Sequence, residues 1–478
     1  MTIEQTAVVH NDRQPHHEPQ KPRVPDLSWT EEMRETLVLA WPMVAAQLAM
    51  MALGVTDVIM MGWLGPEKLA AGAIATSLGF TFFLGFGGVL NAVSPIIAQA
   101  RGRRDIKSVR RCARQGFWAS LILFSGLTVI LLNGERLLLL FGQEPLVAAR
   151  GGIYMLYAVW GFFPAMLAMV LRFFLAAHAD TRLFLWVTIA GVGVNFVGNY
   201  ALMFGNFGFP RLELMGAGIS TSVVNAFMFL CLLAYVLWHR HYKRYYLLVR
   251  LWKADFERLR EIFRVGTPIG AMIFAESSLF GGVSIMMGWL GTDTLAAHSV
   301  ALQCIAVAFM VPLGLSQAAT VRVGLAAGQQ SRENVRKAGW VSIGFGVGFM
   351  CITAGLFAVI PEVFISAFLD GNLEINREPI RLAITFLQVA AVFQLVDGLQ
   401  VVAGGVLRGL KDTSFPMWAG IIGYWGVGAP FGYLMAFVFD LDGRGIWMGM
   451  AAGLAVVAVI LLIRFIRREQ VGLLKECY

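Results

Sequence analysis

The sequence has few charged residues and lacks the residue clusters that form disulfide frameworks and metal sites. Asp, Glu, Lys and Arg make up only 14% of the 478 residues, whereas 58% are hydrophobic. Because soluble domains usually contain about 25% charged residues, this composition excludes a water-exposed set of domains. The five cysteines contain no Cys-x-x-Cys pair, and the seven histidines form no ligand cluster. We therefore expect reduced cysteines, no structural metal and no cofactor.

The sequence also lacks the motifs of intramembrane enzymes and of nucleic-acid-binding domains. Neither His-Glu-x-x-His nor Gly-x-Ser-x-Gly occurs in a hydrophobic stretch, so no zinc ligands or nucleophilic serine are indicated, and we expect no enzymatic activity. The net charge is +8, but the basic residues lie in short connections between hydrophobic stretches. We therefore expect lipids and small molecules as partners, and no nucleic acid.

Long hydrophobic stretches are abundant. Stretches of roughly 20 residues recur along the chain, each long enough at about 1.5 Å per residue to cross a ~30 Å hydrocarbon core. Helices are expected, because lipid offers backbone groups no hydrogen-bond partner. The twelve predicted spans are 36–63, 70–99, 116–133, 151–176, 184–204, 216–238, 266–290, 296–327, 340–360, 382–407, 415–438 and 446–465.

The basic residues predict the orientation of these spans. If the N-terminus lies inside, 29 of the 38 Lys and Arg residues fall on the inner side and 7 on the outer side, with Arg172 and Arg322 inside spans. The positive-inside rule then places both termini in the cytoplasm. Residues 1–28 are polar and have no apolar signal-peptide core, so we expect a disordered cytoplasmic tail there and a second cytoplasmic tail at 466–478.

The chain is built from two copies of one unit. The heptapeptide IMMGWLG occupies both 59–65 and 285–291, and Pro42 and Pro268 keep the same offset of 226 residues. Six spans per copy give both copies the same orientation. The sequence therefore predicts an all-α membrane protein with two six-helix lobes, related by a pseudo-two-fold axis along the membrane normal, as in transporters with parallel repeats.

The predicted lobes are residues 29–238 and 265–465. The segment 239–264 between them is rich in Arg, Lys and Tyr and contains the amphipathic run 256–263. We expect this linker to be cytoplasmic and to form a helix at the level of the lipid headgroups.

Three carboxylates lie inside predicted spans, where a charge costs about 2.5–3.5 kcal/mol at the centre and usually has a function. They are Asp57 in the first span, Glu276 in the seventh and Asp397 in the tenth. The repeat-related positions of Asp57 and Glu276 are Val283 and Met50, which are apolar. These two acids are therefore additions to the duplicated frame.

Glu276 and Asp397 are both in the second half, and we expect them to converge in one cavity, where two acids can bind Na⁺ or share a proton. Asn195 and Asn199, four residues apart in the fifth span, lie on one helix face. They either supply neutral oxygens to a site in the first half or hydrogen-bond a neighbouring helix. For the three acids the alternative is structural: a pair with an interior arginine such as Arg172, or a position near the membrane interface.

At these residues the sequence resembles the multidrug and toxic compound extrusion (MATE) family, and it is most similar to the NorM-like branch. The resemblance extends from about residue 30 to residue 465, and it depends on the order and spacing of several segments over both halves. These are 57–62 (DVIMMG), 276–280 (ESSLF), 295–298 (LAAH) with Gln303, 393–404 (FQLVDGLQVVAG) and 408–413 (RGLKDT).

The resemblance implies an antiporter of the bacterial inner membrane that works as a monomer and exports bulky, often cationic, drug-like compounds in exchange for Na⁺ or H⁺. It implies cation coupling at Glu276, Asp397 and Asp57, with a possible Na⁺ site at the first two. The residues that it suggests for a polar lining of the pathway are Asn195, Asn199, Gln303, Gln394 and Phe393. Na⁺-using relatives have a tyrosine four residues before the tenth-span acid, where this sequence has Phe393, so Na⁺ and H⁺ both remain open.

A flippase for a lipid-linked or amphipathic substrate, from the related superfamily, is the alternative function. Such a protein is expected to have a cationic central cavity that accepts a phosphate. In this sequence the interior acids outnumber the interior arginines by three to two, which favours export of cationic compounds.

Overall fold

The computed structural model describes residues 26–249, 251–370 and 373–474, and none of these residues forms a strand. Within them, twelve helices are long and apolar enough to span a membrane, which confirms the predicted all-α fold. The helices α1 to α12 are Trp29–Gly62, Pro66–Gly102, Ile106–Leu131, Pro145–Ala177, Arg182–Phe204, Glu213–Trp238, Phe256–Trp289, Thr292–Gly328, Arg332–Val359, Glu374–Gly409, Ser414–Val438 and Asp442–Ile466.

Several helices are longer than the predicted spans, because hydropathy detects only the part of a helix that lies in hydrocarbon. Helix α1 begins at Trp29, seven residues before its predicted start, with Ser28 as its N-cap. The Ser28 hydroxyl accepts a hydrogen bond from the Glu31 N–H at 3.2 Å, and the Glu31 carboxylate accepts one from the Ser28 N–H at 2.8 Å. This capping box satisfies two backbone donors at a helix start that is too polar to be detected as a span.

The expectation of a separate linker helix at 256–263 is wrong. These residues form the first two turns of α7, which begins at Phe256 after the N-cap residue Asp255. Asp255 accepts a hydrogen bond from the Arg258 N–H at 3.3 Å. The linker itself contains the short helix Arg240–Lys243.

The start of the linker is bound to the first lobe through buried tyrosines. The hydroxyl groups of Tyr242 and of Tyr235 on α6 both donate to Oδ2 of Asp180 at 2.9 Å. The hydroxyl of Tyr245 lies 2.7 Å from Nε2 of His178, whose Nδ1 lies 2.7 Å from the Phe174 carbonyl oxygen. The linker is therefore part of the first lobe up to this point.

Both ends of the described chain, and the even-numbered connections between helices, lie at one end of the helix bundle. We call this the basic end, because most of the Lys and Arg residues are located there. The lobes meet mainly through α1 and α2 of the first lobe and α7 and α8 of the second. We call this contact the seam.

Glycines allow the backbones of the two lobes to touch along the seam. A Cβ atom at Gly266 would lie 2.1 Å from the carbonyl oxygen of Val89, and one at Gly328 would lie 2.1 Å from that of Gln99. Larger residues at these positions would separate the helices. Both contacts lie in the half of the bundle nearer the basic end.

Polar contacts close the seam at the basic end. Arg322 on α8 donates to both carboxylate oxygens of Glu32 on α1, at 2.9 and 2.5 Å. Glu32 is only 1% exposed, so this ion pair is buried. Nearby, the side chain of Gln99 donates to the carbonyl oxygen of Gly409 at 2.9 Å.

Helix α11 departs from regular α-helical geometry. It contains two π-helical stretches, Ile422–Gly428 and Leu434–Val438, separated by the turn Ala429–Tyr433. Its glycines lie against those of α12: a Cβ atom at Gly449 would lie 2.3 Å from Cα of Gly432.

Candidate functional site

Asp57 is buried in the first lobe and is held by two asparagines. The side-chain amides of Asn195 and Asn199 on α5 donate to Oδ1 of Asp57 on α1, at 3.0 and 2.6 Å. The structure therefore brings together the acid and the asparagine pair that the sequence analysis identified separately. Among the described residues, Oδ1 of Asn199 has no hydrogen-bond partner.

The alternative in which Asp57 pairs with Arg172 is wrong. The guanidinium of Arg172 donates instead to the side-chain oxygens of Gln47 and Gln317. Asp57 has amide donors as partners, and the hydrogen bonds that it accepts are of the stronger, charge-assisted type when it is ionised.

In the second lobe, the structure brings Glu276 and Asp397 within electrostatic range of each other. Asp397 on α10 is 2% exposed, and its Oδ1 has no hydrogen-bond partner among the described residues. Glu276 on α7 is half-buried and interacts electrostatically with Arg408 as well. Two carboxylates within electrostatic range repel each other, and uptake of a proton or of a monovalent cation relieves this repulsion.

Further buried polar atoms surround these acids. Three side-chain atoms have no hydrogen-bond partner among the described residues: Oε1 of Gln400, Nε2 of Gln394 and the hydroxyl oxygen of Tyr424. Tyr424 lies within electrostatic range of both carboxylates. Since buried polar atoms are normally satisfied, this cluster is suited to a water molecule or a cation.

Phe393 and Gln303, two residues of the predicted lining, lie in different surroundings. Phe393 is fully buried one turn before Asp397, and its ring lies 6.4 Å from that of Phe280 and 5.6 Å from that of Trp447. It supplies no oxygen to the acids. Gln303 on α8 is half-buried, and no hydrogen bond among the described residues joins it to Glu276 or Asp397.

Sequence reasoning did not identify Gln400, Tyr424 and Arg408 as neighbours of the acids. Gln400 follows Asp397 by three residues, so helical spacing places both on one face and could have identified it. Tyr424 comes from a different helix, and no local pattern marks it. Arg408 was assigned to the connection at 408–412, whereas α10 continues through it to Gly409.

The buried charges can now be counted with their partners. Glu32 and Arg322 neutralise each other. Beyond this pair, Asp57 and Asp397 are the buried acids among the described residues and Arg172 and Arg468 the buried arginines, whereas Glu276 and Arg408 are half-buried. Within the part of the chain that the structure describes, no three His, Cys, Asp or Glu side chains form a group suited to a metal ion.

The family model MatE matches residues 42–201 and 268–434. The two matches begin at the repeated prolines, 226 residues apart, so the family pattern itself occurs twice in this chain. The chain belongs to the MatE family. Its two lobes are two copies of the family's unit, as the duplicated heptapeptide predicts.

Relatives of this MatE chain are similar over nearly their whole length. The chain is 42% identical over 452 residues to a probable multidrug resistance protein NorM of Mesorhizobium japonicum, covering 94% of this chain and 97% of that protein. It is 43% identical to one of Brucella suis, covering 92% and 94%. It is 40% identical to one of Synechocystis sp., covering 91% and 94%. The predicted similarity to the NorM-like branch is confirmed.

Solved structures share the fold at lower sequence identity. The eukaryotic MATE transporter AtDTX14 aligns with a TM-score of 0.84 at 22% identity, covering 94% of this chain and 98% of that one. A MATE family multidrug resistance transporter in an outward-facing conformation aligns with a TM-score of 0.82 at 21% identity, covering 93% and 97%. These likenesses confirm the architecture of twelve helices in two lobes, and the chain is a multi-pass integral membrane protein.

Proposed function

We propose that this protein is a secondary active exporter of the bacterial inner membrane, which exchanges bulky, often cationic organic compounds for Na⁺ or H⁺ by alternating access. The observation that carries this proposal is that Glu276 and Asp397 lie within electrostatic range of each other, with a buried and unpartnered Oδ1 on Asp397. Support comes from the relatives named as probable multidrug resistance proteins and from the solved structures named as transporters, a class without enzymatic activity.

The coupling cation binds at Glu276 and Asp397 in this proposal. A monovalent cation there neutralises one of the two carboxylate charges and relieves their repulsion, and therefore favours one arrangement of the helices over the other. A transported compound favours the opposite arrangement, so the two ligands compete through the conformation. Each elementary charge that moves through ~100 mV releases about 2.3 kcal/mol, which corresponds to a concentration gradient of nearly fifty-fold.

The positive-inside rule supports a cytoplasmic basic end. With this orientation, the closed seam and the Glu32–Arg322 ion pair block access from the cytoplasm. Export then requires these contacts to open. One chain supplies both lobes, so we propose the monomer as the working unit.

Asp57 is assigned to the transported compound in this proposal. It lies in the lobe opposite to the two coupling acids, and its hydrogen-bond partners are neutral amides, which leave its charge available to a cationic compound. Asn195 and Asn199 hold its Oδ1 in place.

Efflux from proteoliposomes, with a Na⁺ gradient and a pH gradient imposed separately, tests the proposal. We expect one gradient to drive export of a cationic dye in the wild-type protein and in the control Asp293→Asn, which changes an exposed acid of the same lobe. Glu276→Gln and Asp397→Asn should insert into the membrane but show no gradient-driven export. Full activity in both variants would refute the role of these acids.

The flippase alternative requires a cationic cavity for a phosphate, and the cavity that Arg172 and Arg408 line at the seam, about 10 Å³ in volume, is too small for one. Translocation of a fluorescent phospholipid in the same vesicles distinguishes the two functions. We expect export of the dye without lipid translocation, and the reverse result would assign the protein as a flippase.

A further inference from the structure

A small cavity lies at the seam, between the two lobes. We call it the seam cavity. Its lining residues are Met43, Asn91, Ser94, Arg172, Phe173, Ala176, Gln317, Thr320 and Arg408. The first six belong to the first lobe and the last three to the second, so the cavity exists only while the lobes are packed together.

The polar lining of the seam cavity follows the internal repeat. Asn91 and Gln317 are 226 residues apart, and so are Ser94 and Thr320, which is the offset between the two copies. Equivalent residues of two symmetric units can face one cavity only near the symmetry axis. The seam cavity therefore lies near the pseudo-two-fold axis, and each lobe contributes an amide and a hydroxyl side chain.

Arg172 brings a buried positive charge to this cavity. The residue is 8% exposed. Its Nη2 donates to the side-chain oxygens of Gln47, at 2.8 Å, and Gln317, while Nη1 is 3.9 Å from the sulfur of Met50. Nε has no partner, and no carboxylate among the described residues forms an ion pair with this guanidinium.

A buried guanidinium without an anion is unusual. Charged side chains in membrane interiors are costly and are normally paired, and amide oxygens only partly replace a carboxylate. The ring of Phe184 lies 4.3 Å from the guanidinium carbon of Arg172, which stabilises the charge further without neutralising it. The guanidinium of Arg172 therefore has a donor without a partner and no counter-ion among the described residues.

Arg408 adds a second positive charge from the opposite lobe. Its Nη2 donates to the Ser316 hydroxyl at 2.9 Å, and its Nε donates to the Gly404 carbonyl oxygen at 3.3 Å. Both of these partners are neutral. Its electrostatic partner among the acids is Glu276, which also has Asp397 as a neighbour.

We propose that the seam cavity binds a small anionic group, either chloride or the carboxylate of a transported compound, between Arg172 and Arg408. The volume of about 10 Å³ is that of one water-sized group, so a carboxylate oxygen or a chloride enters only with a small outward movement of the lining side chains, and a phosphate does not fit. Because the arginines come from different lobes, the bound anion stabilises the closed basic end and leaves when the seam opens. The carboxylate source rests on the proposed export function, whereas chloride binding does not.

Thermal unfolding of the purified protein tests the site without transport. Sodium chloride is compared with sodium gluconate, an anion too large for the cavity, at equal ionic strength. We expect chloride to raise the melting temperature saturably, by about 2 °C at a tenfold excess over its Kd. Equal melting temperatures in both salts, together with equal export of the acid and ester compared below, would overturn the proposal.

Three variants make this test specific. Arg172→Gln should abolish the chloride effect, and Arg260→Gln, which removes an exposed arginine of the same charge, should keep it. Gln317→Glu places a carboxylate beside Arg172 with almost no change in shape. It should raise the melting temperature in gluconate and remove any further effect of chloride. A chloride effect that persists in both Arg172→Gln and Gln317→Glu would place the anion elsewhere.

Transport identifies the source of the anionic group. Export of a zwitterionic aromatic amino acid derivative is compared with export of its methyl ester, in which the carboxylate is masked. If the wild-type protein exports the acid several-fold faster than the ester, and Arg172→Gln removes this preference, the site binds the substrate's carboxylate. Equal export of both, with the chloride effect intact, assigns it to chloride. Because Asp397→Asn retains the seam cavity, its chloride effect should persist even if the coupling proposal fails.

Discussion

In the first lobe, Asp57 accepts hydrogen bonds from Asn195 and Asn199, whereas in the second lobe Asp397 has a buried oxygen without a partner. The two lobes have the same frame of six helices, so this difference comes from side chains that one copy has and the other lacks. The Oδ1 atom of Asp57 is held by two donors. The unpartnered oxygen of Asp397, within electrostatic range of a second carboxylate, can accept a cation and release it. This difference is our reason for proposing that coupling takes place in the second lobe.

The largest expected effect separates the two lobes directly. Asp397→Asn should abolish gradient-driven export, because the neutral amide cannot take up a proton and has no negative charge to attract a cation. Asp57→Asn should keep the dependence on the gradient and weaken export of cationic compounds about tenfold, equivalent to ~1.4 kcal/mol. Export rates at a series of gradients measure both. Loss of the gradient response in Asp57→Asn alone would reverse the assignment of the lobes.

The second prediction concerns Glu32, a buried acid whose charge is neutralised by an ion pair across the seam. Arg322→Gln leaves the buried Glu32 without its partner, which costs about 3–5 kcal/mol and destabilises the closed basic end. Glu32→Gln acts in the same direction but less strongly, because Arg322 keeps a contact with Glu35 at 3.7 Å. A cysteine introduced at Val44, which lies against Gly314 across the seam, should then react faster with a maleimide. The exchange of the two charges, Glu32→Arg with Arg322→Glu, is the control and should restore slow labelling. Unchanged labelling in both single variants would contradict the prediction.

A third prediction compares an amide whose N–H group donates to an acid with an amide whose N–H group has no partner. Asn199→Leu removes a hydrogen bond of 2.6 Å to Asp57 and should lower the free energy of unfolding by about 1.5–3 kcal/mol. Gln394→Leu removes an amide whose Nε2 has no partner and whose Oε1 accepts only a 3.3 Å hydrogen bond from the Thr353 hydroxyl, so its cost should stay under about 1 kcal/mol. Chemical denaturation in detergent measures the two variants side by side. Equal losses of unfolding free energy in the two variants would contradict this difference between the two amides.

The smallest effect concerns the linker, which the first lobe holds through His178. The Phe174 carbonyl and the Tyr245 hydroxyl suit a neutral ring, and burial, aided by nearby Arg101, lowers the pKa of His178 to about 4. The unfolded histidine, with a pKa near 6.5, takes up a proton first as the pH falls. Stability is therefore complete above about pH 6.5 and falls by about 1 kcal/mol per pH unit toward pH 4.

Thermal unfolding between pH 7 and pH 4.5 measures this loss. His178→Gln, which cannot be protonated, should unfold with a weaker dependence on pH over the same range. An identical pH dependence in the variant would assign the acid sensitivity to other groups.

The fold could be predicted because its two main signals extend over many residues. Hydropathy integrates about twenty positions per span, and the repeat offset of 226 is supported by a whole heptapeptide and two prolines. Helix ends depend on a few side chains, such as the Ser28 capping box, and were therefore predicted less well. The start of α7 was missed because its first turns, with Arg258 and Arg260, are too polar to resemble a membrane span.

The candidate site could be predicted only in part, because a single sequence indicates costly residues but not their partners. The acids were found because a carboxylate inside a span is rare. The sequence does not show that Asp57 is held by hydrogen bonds whereas Asp397 has an unpartnered oxygen. This difference depends on helix packing, which places α5 against α1 and α7 within reach of α10. The roles of these residues remain predictions.

The π-helical stretches of α11 have a geometric consequence for the second lobe. A π turn contains one residue more than an α turn, and a shift of one residue corresponds to about 100° of rotation about the helix axis. Conversion of the Ile422–Gly428 stretch to regular α-helix would therefore turn Tyr424 relative to the residues beyond it, while the helix stays in contact with α12 through its glycines. Such a conversion would change which side chains of α11 face the two carboxylates, because Tyr424 lies within electrostatic range of both.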